Sequence, residues 1–350
     1  MENKKIIDLR SDTTSLPTTN LINEMCKAEV GDSAYGEDRA YNEFVEYCKN
    51  LFEVEDAIFV TSGMLANRLA FLSQTDPGDE VITEYNYHVN FFDSAAMAKV
   101  CNIVLNTVHT KDGIILIDNI LDAINSKPRY KIFAQVKLVS IENSINGWQG
   151  KIFPFEQQRD IYGFLQNKGI KLHLDGARIF NAHAETNIPL KDYAKYCDTM
   201  TFCLSKGLGA PFGSVLLGKK ETIEKARRFQ VWLGGGFHQI GFQAKAAHYA
   251  LENQLSFAKQ DNNLANLLYS ELKKNCQNLL SDPPDTNIVS IDISNVNTSN
   301  DQFLKKCEDN GLLLFPWLEG KIRAVVCHNV NERDIKQAAK IIKKALYHFM

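Results

Sequence analysis

The chain has 350 residues, 45% hydrophobic and 23% charged, the composition of an ordinary globular protein. Its 39 basic and 42 acidic residues leave a net charge of −3 and are spread along the chain, which excludes an electrostatic case for nucleic acid or an anionic membrane surface. Eight cysteines form no Cys-x-x-Cys pair and no metal-like Cys/His spacing, so no metal site is expected, and isolated thiols fit a reducing compartment. The first residues, Met1 to Asp8, lack the apolar run of a signal peptide, and no apolar stretch approaches bilayer length. A soluble, cytoplasmic protein is the expectation, either two domains or one large domain with a smaller appendage.

Residues 1–20 read as an extended arm rich in Ser and Thr, with Pro17 near its end. Residues 21–30 and 40–53 carry helical apolar spacing, and the glycine-punctuated stretch from Gly31 to Asp38 between them is a loop. A short apolar run, Ala57 to Val60, meets Thr61-Ser-Gly-Met64 and then a helix-forming stretch from Leu65 to Leu72. Strand candidates follow at 80–83, 103–107, 138–141, 171–174, 199–203 and 214–217, alternating with helical segments. That alternation predicts an α/β fold with a mostly parallel sheet flanked by helices. A long helical stretch runs from Phe242 to Leu272 with few breakers. After Asp282-Pro-Pro-Asp285 come shorter strands at 287–292 and 322–326 and an amphipathic helix from about 331 to 349, a smaller C-terminal α+β domain. The expected division is an arm over 1–20, a large domain over 21–254 and a small domain over 255–350, with no internal repeat.

The most informative residues are His173-Leu-Asp-Gly-Ala-Arg178 and, 28 residues later, Lys206 in Leu204-Ser-Lys-Gly-Leu-Gly-Ala-Pro-Phe-Gly-Ser214. Asp175 closes one apolar strand and Lys206 closes the next, at the carboxyl ends where open α/β sheets bind ligands. An acid and a lysine so placed are what pyridoxal phosphate requires. The lysine amine forms a Schiff base with the cofactor aldehyde, and the carboxylate keeps the pyridine nitrogen protonated. A capping aspartate and a solvated lysine are the alternative for either residue alone. Ser62, Gly63 and Met64 lie where a strand turns into a helix, and the helix's free N–H groups suit a phosphate. His88 has the shape to stack on a flat ring, or to be structural. Arg323, early in a small-domain strand, offers a bidentate fork for a carboxylate.

At these residues the chain resembles the threonine aldolase / β-eliminating lyase family of fold-type I pyridoxal-phosphate enzymes. The resemblance runs nearly end to end through Asp8-Leu-Arg-Ser-Asp-Thr-Thr14, Tyr35-Gly-Glu-Asp38, Thr61-Ser-Gly-Met-Leu-Ala-Asn67, Gly78-Asp-Glu-Val81, His173 to Asn181, Leu204 to Pro211 and Leu233-Gly-Gly-Gly236. It implies that Lys206 carries the cofactor, Asp175 pairs with its pyridine nitrogen and His88 stacks on its ring. It further implies that Ser62, Gly63 and Met64 hold the phosphate. Arg178, Ser11 and Arg323 would hold the substrate carboxylate, with Arg178 also reaching the ring hydroxyl. Tyr35 would sit in a loop that reaches a neighbouring subunit's site, in a homodimer or homotetramer with shared active sites. The implied reaction is cleavage or formation of the Cα–Cβ bond of an L-β-hydroxy-α-amino acid, giving glycine and an aldehyde.

The chain departs from the family pattern on the substrate side. The family loop Glu-Asn-Thr-His-Asn is Glu142-Asn-Ser-Ile-Asn146 here, and Ile145 offers no hydrogen bond where a histidine would meet a β-hydroxyl. Gln230 and Val231 replace a basic pair, His238 replaces an arginine, and Leu16 stands where a basic residue is common. A lost contact of that kind costs roughly 1.5–3 kcal/mol. Trp148 and Phe92 would then line a more apolar pocket, or Trp148 merely packs a loop. A specialised enzyme with the same cofactor is therefore the alternative: a β-eliminating lyase, a transaldolase or an aminotransferase-like enzyme. A non-catalytic binding module is the third reading, opposed by Lys206, Asp175 and Arg178.

Overall fold

A computed structural model describes residues 5–128, 130, 132–276 and 279–349. Seven strands form the central sheet in the spatial order Asp56–Val60, Ser214–Gly218, Thr199–Cys203, Lys171–Gly176, Val136–Glu142, Glu80–Glu84, Val104–Val108. All pair in parallel except Ser214–Gly218, which runs antiparallel to both neighbours. Glu80–Glu84, Thr199–Cys203 and Ser214–Gly218 are buried at every position. Helices on both faces make that possible, and they account for strand sequences without polar alternation.

Local signals explain most helices. Arg39–Phe52 begins where the Asp38 carboxylate accepts from the Tyr41 N–H, and it buries Ala40, Phe44, Cys48 and Phe52 at four-residue intervals. Gly63–Leu72 begins at Ser62, whose hydroxyl accepts from the Leu65 N–H. The stretch expected to be one helix from 242 to 272 is two, Gly241–Asn253 and Ser256–Cys276. The break lies at Gln254, a buried side chain that donates to the Leu208 carbonyl at 2.5 Å and accepts from the Thr18 hydroxyl at 2.9 Å. Those bonds tie the break to the Lys206 loop and to the N-terminal arm.

A three-stranded antiparallel sheet, Phe315–Leu318, Lys321–Val325 and Ile288–Asp292, lies toward the carboxyl end with Lys321–Val325 in the middle. Its own apolar core includes Phe303, Ile322, Ala324, Ile335 and Ile342. Ile7 and Leu9 of the arm belong to that core, and Ile7–Asp8 pairs in parallel with Leu312–Leu313. The arm therefore starts in the second core and reaches the central sheet within five residues, at Asp12. No helix among the described residues is long and apolar enough to cross a membrane.

Gly213, at the turn between the last two strands of the sheet, has φ +94°, and a Cβ there would lie 2.2 Å from the Phe59 ring. Gly213→Ala combines left-handed strain with overpacking and is expected to cost roughly 2–5 kcal/mol. Calorimetric unfolding of the variant checks this, and an unchanged midpoint would contradict it.

Candidate active site

The sequence-predicted residues gather at the carboxyl ends of the parallel strands. Asp175 closes Lys171–Gly176 and is 3% exposed. Its Oδ2 accepts from the Asn67 amide at 2.7 Å and its Oδ1 from the Ala177 N–H at 3.1 Å. A polar chain behind it fixes the orientation. Because the Asn67 amide nitrogen is committed to Asp175, Asn67 Oδ1 accepts, from Thr201 Oγ1 at 3.0 Å and from His173 Nε2 at 3.1 Å. His173 Nδ1 lies 2.9 Å from Thr199 Oγ1, which in turn accepts from Gln74 at 2.8 Å. Burial pushes His173 down to about 4, so the ring is neutral and serves as a spacer rather than a charge.

Lys206 follows the neighbouring strand, half-buried, on a turn whose backbone is held from outside. Its carbonyl accepts from the Ser15 hydroxyl at 2.5 Å and from the Gly209 N–H at 2.8 Å. At the start of Gly63–Leu72, Ser62 takes the Leu65 N–H, leaving those of Gly63 and Met64 pointing out of the first helical turn. A Cβ on Gly63 would meet Cys203 Sγ at 2.8 Å, so the strand–helix turn packs against its neighbours only with glycine.

His88 opens a short helix after Glu80–Glu84. Its backbone N–H donates to Glu142 Oε2 at 2.6 Å, while Nδ1 is buried with no partner. Burial lowers its pKa against the attraction of Asp175, and the charges of Lys206 and Arg178 act on it as well. A neutral imidazole thus faces the groups that surround Lys206. Glu142 also accepts from the Asn146 N–H at 2.7 Å, and burial together with Asp175 raises its pKa.

Arg178 is buried against Asp12 in a bidentate pair, Nε to Oδ2 at 2.6 Å and Nη2 to Oδ1 at 2.8 Å. Burial would raise the Asp12 carboxyl, but Arg178 and then Lys206 outweigh it and hold it at about 2. Arg178 Nη1 reaches Asn146 Oδ1 at 3.2 Å, and the same oxygen accepts from Arg323 Nη1 at 2.9 Å. Arg323 lies between the rings of Phe315 and Trp317, 4.8 Å from each centroid, with a buried Nε that has no partner. Ser11 stands beside this cluster, its hydroxyl capping the turn that carries Asp12.

Two predicted positions behave differently. Tyr35 is 80% exposed, on a turn anchored to the backbone of His238 through the Ser33 N–H, so one chain does not bring it to the cluster. Ile145 is fully buried within the main apolar core, its backbone bridged to Lys151. Trp148 does line a cavity of about 260 Å³ with Asn146, Trp317 and Arg323. Phe92 is 43% exposed beside His88, ring centroids 4.9 Å apart. Asp12, Asn67, Asn146, Glu142 and Asp261 carry no role in the sequence reading. Asp12, Asn67, Glu142 and Asn146 stand inside motifs quoted above, which was the available signal, whereas Asp261 stands in none. Among the described residues no group of three or more metal-ligating side chains is placed to hold an ion.

The cluster suits a flat, phosphate-bearing cofactor that forms an imine. Free helix N–H groups stand at one end, a fixed carboxylate and a partnerless imidazole around the middle, and a lysine beside them. The family model described as beta-eliminating lyase matches residues 8–295, and the chain belongs to the threonine aldolase / β-eliminating lyase family. Among its relatives is a low specificity L-threonine aldolase of Escherichia coli O157:H7, 36% identical over 295 residues, covering 84% of this chain and 86% of the relative. The solved structure of Leishmania major threonine aldolase superposes with a TM-score of 0.85 at 19% identity, covering 97% of this chain and 99% of that one. A solved structure of SPT with PLP superposes with a TM-score of 0.77 at 14% identity, covering 99% and 89%. At those identities the two structures establish a shared fold, that of fold-type I enzymes.

Asp261 is fully buried, with both carboxyl oxygens unpartnered, one of them 3.1 Å from where a Gly207 Cβ would stand. Burial, then Asp12, pushes it up to about 9. Well below pH 3.8 both folded and unfolded forms hold the proton. As pH climbs toward 9 only the folded form keeps it, so this group destabilises the fold increasingly with pH. Asp261→Asn is expected to stabilise the protein by roughly 1 kcal/mol or more at pH 8, and by less at pH 5. Unfolding midpoints at the two pH values check this, and a difference independent of pH would contradict it.

Proposed function

We propose that this protein is a pyridoxal-phosphate-dependent lyase that cleaves the Cα–Cβ bond of an L-β-hydroxy-α-amino acid to glycine and an aldehyde. The observation that carries the reading is the convergence of Lys206, buried Asp175, neutral His88 and Arg178 at the strand ends, with Arg323 of the smaller sheet bonded to the same Asn146 as Arg178. Family membership, and the names of relatives such as the threonine aldolase of Escherichia coli, support it.

Ser62, Gly63 and Met64 would hold the phosphate through the Ser62 hydroxyl and the two free N–H groups. Asp175, fixed by Asn67, would hold a proton on the ring nitrogen, and His88 would cover one ring face. The cofactor supplies, when bound, an electron-withdrawing ring that stabilises negative charge at the substrate α-carbon. Lys206 would be the residue that holds the cofactor, through its side-chain amine. Arg178 and Arg323 would orient the substrate carboxylate and so decide which bond at the α-carbon is presented for cleavage. His88, kept unprotonated by burial, receives the β-hydroxyl proton through a water, in the direction of cleavage.

The arm, the residues to 254 and the residues from 255 form the proposed three-part division, with the separate second apolar core in support. A homodimer or homotetramer with shared active sites is part of this reading. Exposed Val231, Trp232, Leu233 and Phe237 border the Gly234 to Gly236 run, and Tyr35 stands free to enter a neighbouring site. A cytoplasmic location is proposed from the seven free thiols among the described residues. A second reading, β-elimination, draws on the absence of a histidine at position 145, where the buried Ile145 side chain packs into the core and leaves the β-hydroxyl one hydrogen-bond partner fewer.

Incubation with a panel of β-hydroxy and other amino acids tests the reaction: glycine plus an aldehyde is expected, and pyruvate plus ammonia without glycine would favour the second reading. Borohydride reduction should attach the cofactor at Lys206, and a label elsewhere would defeat the assignment. His88→Asn, which keeps a polar side chain without a base, is expected to lower kcat by about 10²–10⁴-fold.

A further inference from the structure

The guanidinium pair contains a charge that the protein does not neutralise. Arg178 and Arg323 share one acceptor, Asn146 Oδ1, at 3.2 and 2.9 Å. Arg178 has a carboxylate of its own in Asp12. Among the described residues no carboxylate pairs with Arg323, which is 8% exposed and flanked by two aromatic rings. Its Nε is buried without a partner. Glu142 acts on Arg178 only through space, because its two oxygens are taken by the N–H groups of His88 and Asn146. The other side chains touching Asp12, Asn287 and Ser11, are also neutral. The environment registers the deficit: burial, and then repulsion by Arg178, press Arg323 down to about 10.

Resting on the function proposed above, we propose that Asn146 is a positioning residue that sets the affinity for the substrate α-carboxylate by being neutral. One amide oxygen is enough to hold two guanidinium groups in register, since its two lone pairs accept one Nη1–H from each. A carboxylate at the same place would hold them better and would also neutralise Arg323 from within. The ligand's carboxylate would then be redundant. The neutral amide keeps the clamp assembled but one negative charge short, and that charge arrives with the substrate. The arrangement selects against amino acids whose carboxylate is esterified or amidated, because they leave the second guanidinium buried and uncompensated.

Asn146→Asp separates this role from a structural one. In the cofactor-loaded protein the variant is expected to unfold at a higher temperature than wild type, because the internal repulsion is relieved. Its dissociation constant for glycine, followed by calorimetric titration, should rise about tenfold or more, and KM should rise in parallel with kcat changed less than about threefold. Asn146→Ala, which removes the acceptor but adds no charge, should unfold earlier and lose less glycine affinity than the Asp variant. A lower midpoint for Asn146→Asp, or an equal loss of glycine affinity in both variants, would overturn the proposal.

A measurement on the wild type guards against failure of the variants to fold. Sodium formate should raise its unfolding midpoint above that in sodium chloride of equal ionic strength, and formate should inhibit competitively with substrate. No difference between the two salts would overturn the charge deficit. Absence of glycine release from every amino acid, with the formate response intact, would instead defeat the proposed reaction and spare the clamp.

Discussion

The buried pair between Asp12 and Arg178 is the contact on which the rest of the molecule turns. Its two residues are 166 positions apart, and both are almost completely withdrawn from solvent. Desolvating two charges is costly, and only their bidentate geometry and further hydrogen bonds offset it. Removing one partner would strand the other, a penalty of about 3–5 kcal/mol. The arm is consequently fixed at Asp12 and not merely laid across the surface. Because its start, Ile7 and Leu9, belongs to the second core, the pair also joins that core to the central sheet. Just beyond it, Ser15 holds the Lys206 carbonyl, and His328 bridges the carbonyls of Leu16 and Gly207. The lysine turn is thus set by the arm and the C-terminal segment as much as by its own strand.

Behind the cleft the polar interior is nearly closed. Gln74, Thr199, His173, Asn67 and Asp175 form an unbroken sequence of hydrogen bonds that ends on the carboxylate facing the site. Such networks are worth their burial only when each member is satisfied. At the cleft the pattern changes: His88 Nδ1, Arg323 Nε and both oxygens of Asp261 lack partners. Unpartnered atoms also occur within the sheet, at Thr83 and Ser140, so the absence of a bond alone does not mark a site. Charged groups share that condition at the Arg68–Asp93 pair as well, and the cleft differs in gathering three titratable groups so placed, His88, Arg323 and Asp261.

The fold was largely legible in the sequence because its signals are local. Apolar runs of strand length, separated by helical spacing, place six of the seven central strands in sequence order after the first. Asp175 and Lys206 were readable for the same reason, each closing such a run. What remained hidden was long-range or lacked a local mark. Nothing near Asp12 announces a partner at 178, and nothing near Asn146 announces Arg323, 177 positions on. The break at Gln254 has neither glycine nor proline, and it arises from bonds to Thr18 and Leu208 that only the folded chain supplies. Ile145 was singled out from the motif as facing the reaction. The strand-to-turn geometry instead sends it into the core, where an apolar side chain is what packing requires.

The substrate end of the cleft is therefore defined less by the residue missing from the motif than by the aromatic groups around the clamp. Trp317 stacks on Phe91 at 5.1 Å and touches Phe92 at 5.7 Å, and Phe92 in turn meets His88 at 4.9 Å. Trp317 and Phe315 also enclose the Arg323 guanidinium. Aromatic rings in contact move as packed bodies, since a gap of even half an ångström forfeits a large share of their dispersion energy. The guanidinium of Arg323 and the imidazole of His88, proposed to receive the carboxylate and to meet the β-substituent, thus rest against one continuous wall. A shift of either would require repacking Trp317. Glu142 reinforces that link through the backbone, because its two oxygens hold His88 on one side and Asn146 on the other. The separation of the Arg323 guanidinium from the His88 imidazole is in this way built into the packing, so on the proposed reading the carboxylate site and the base are positioned together.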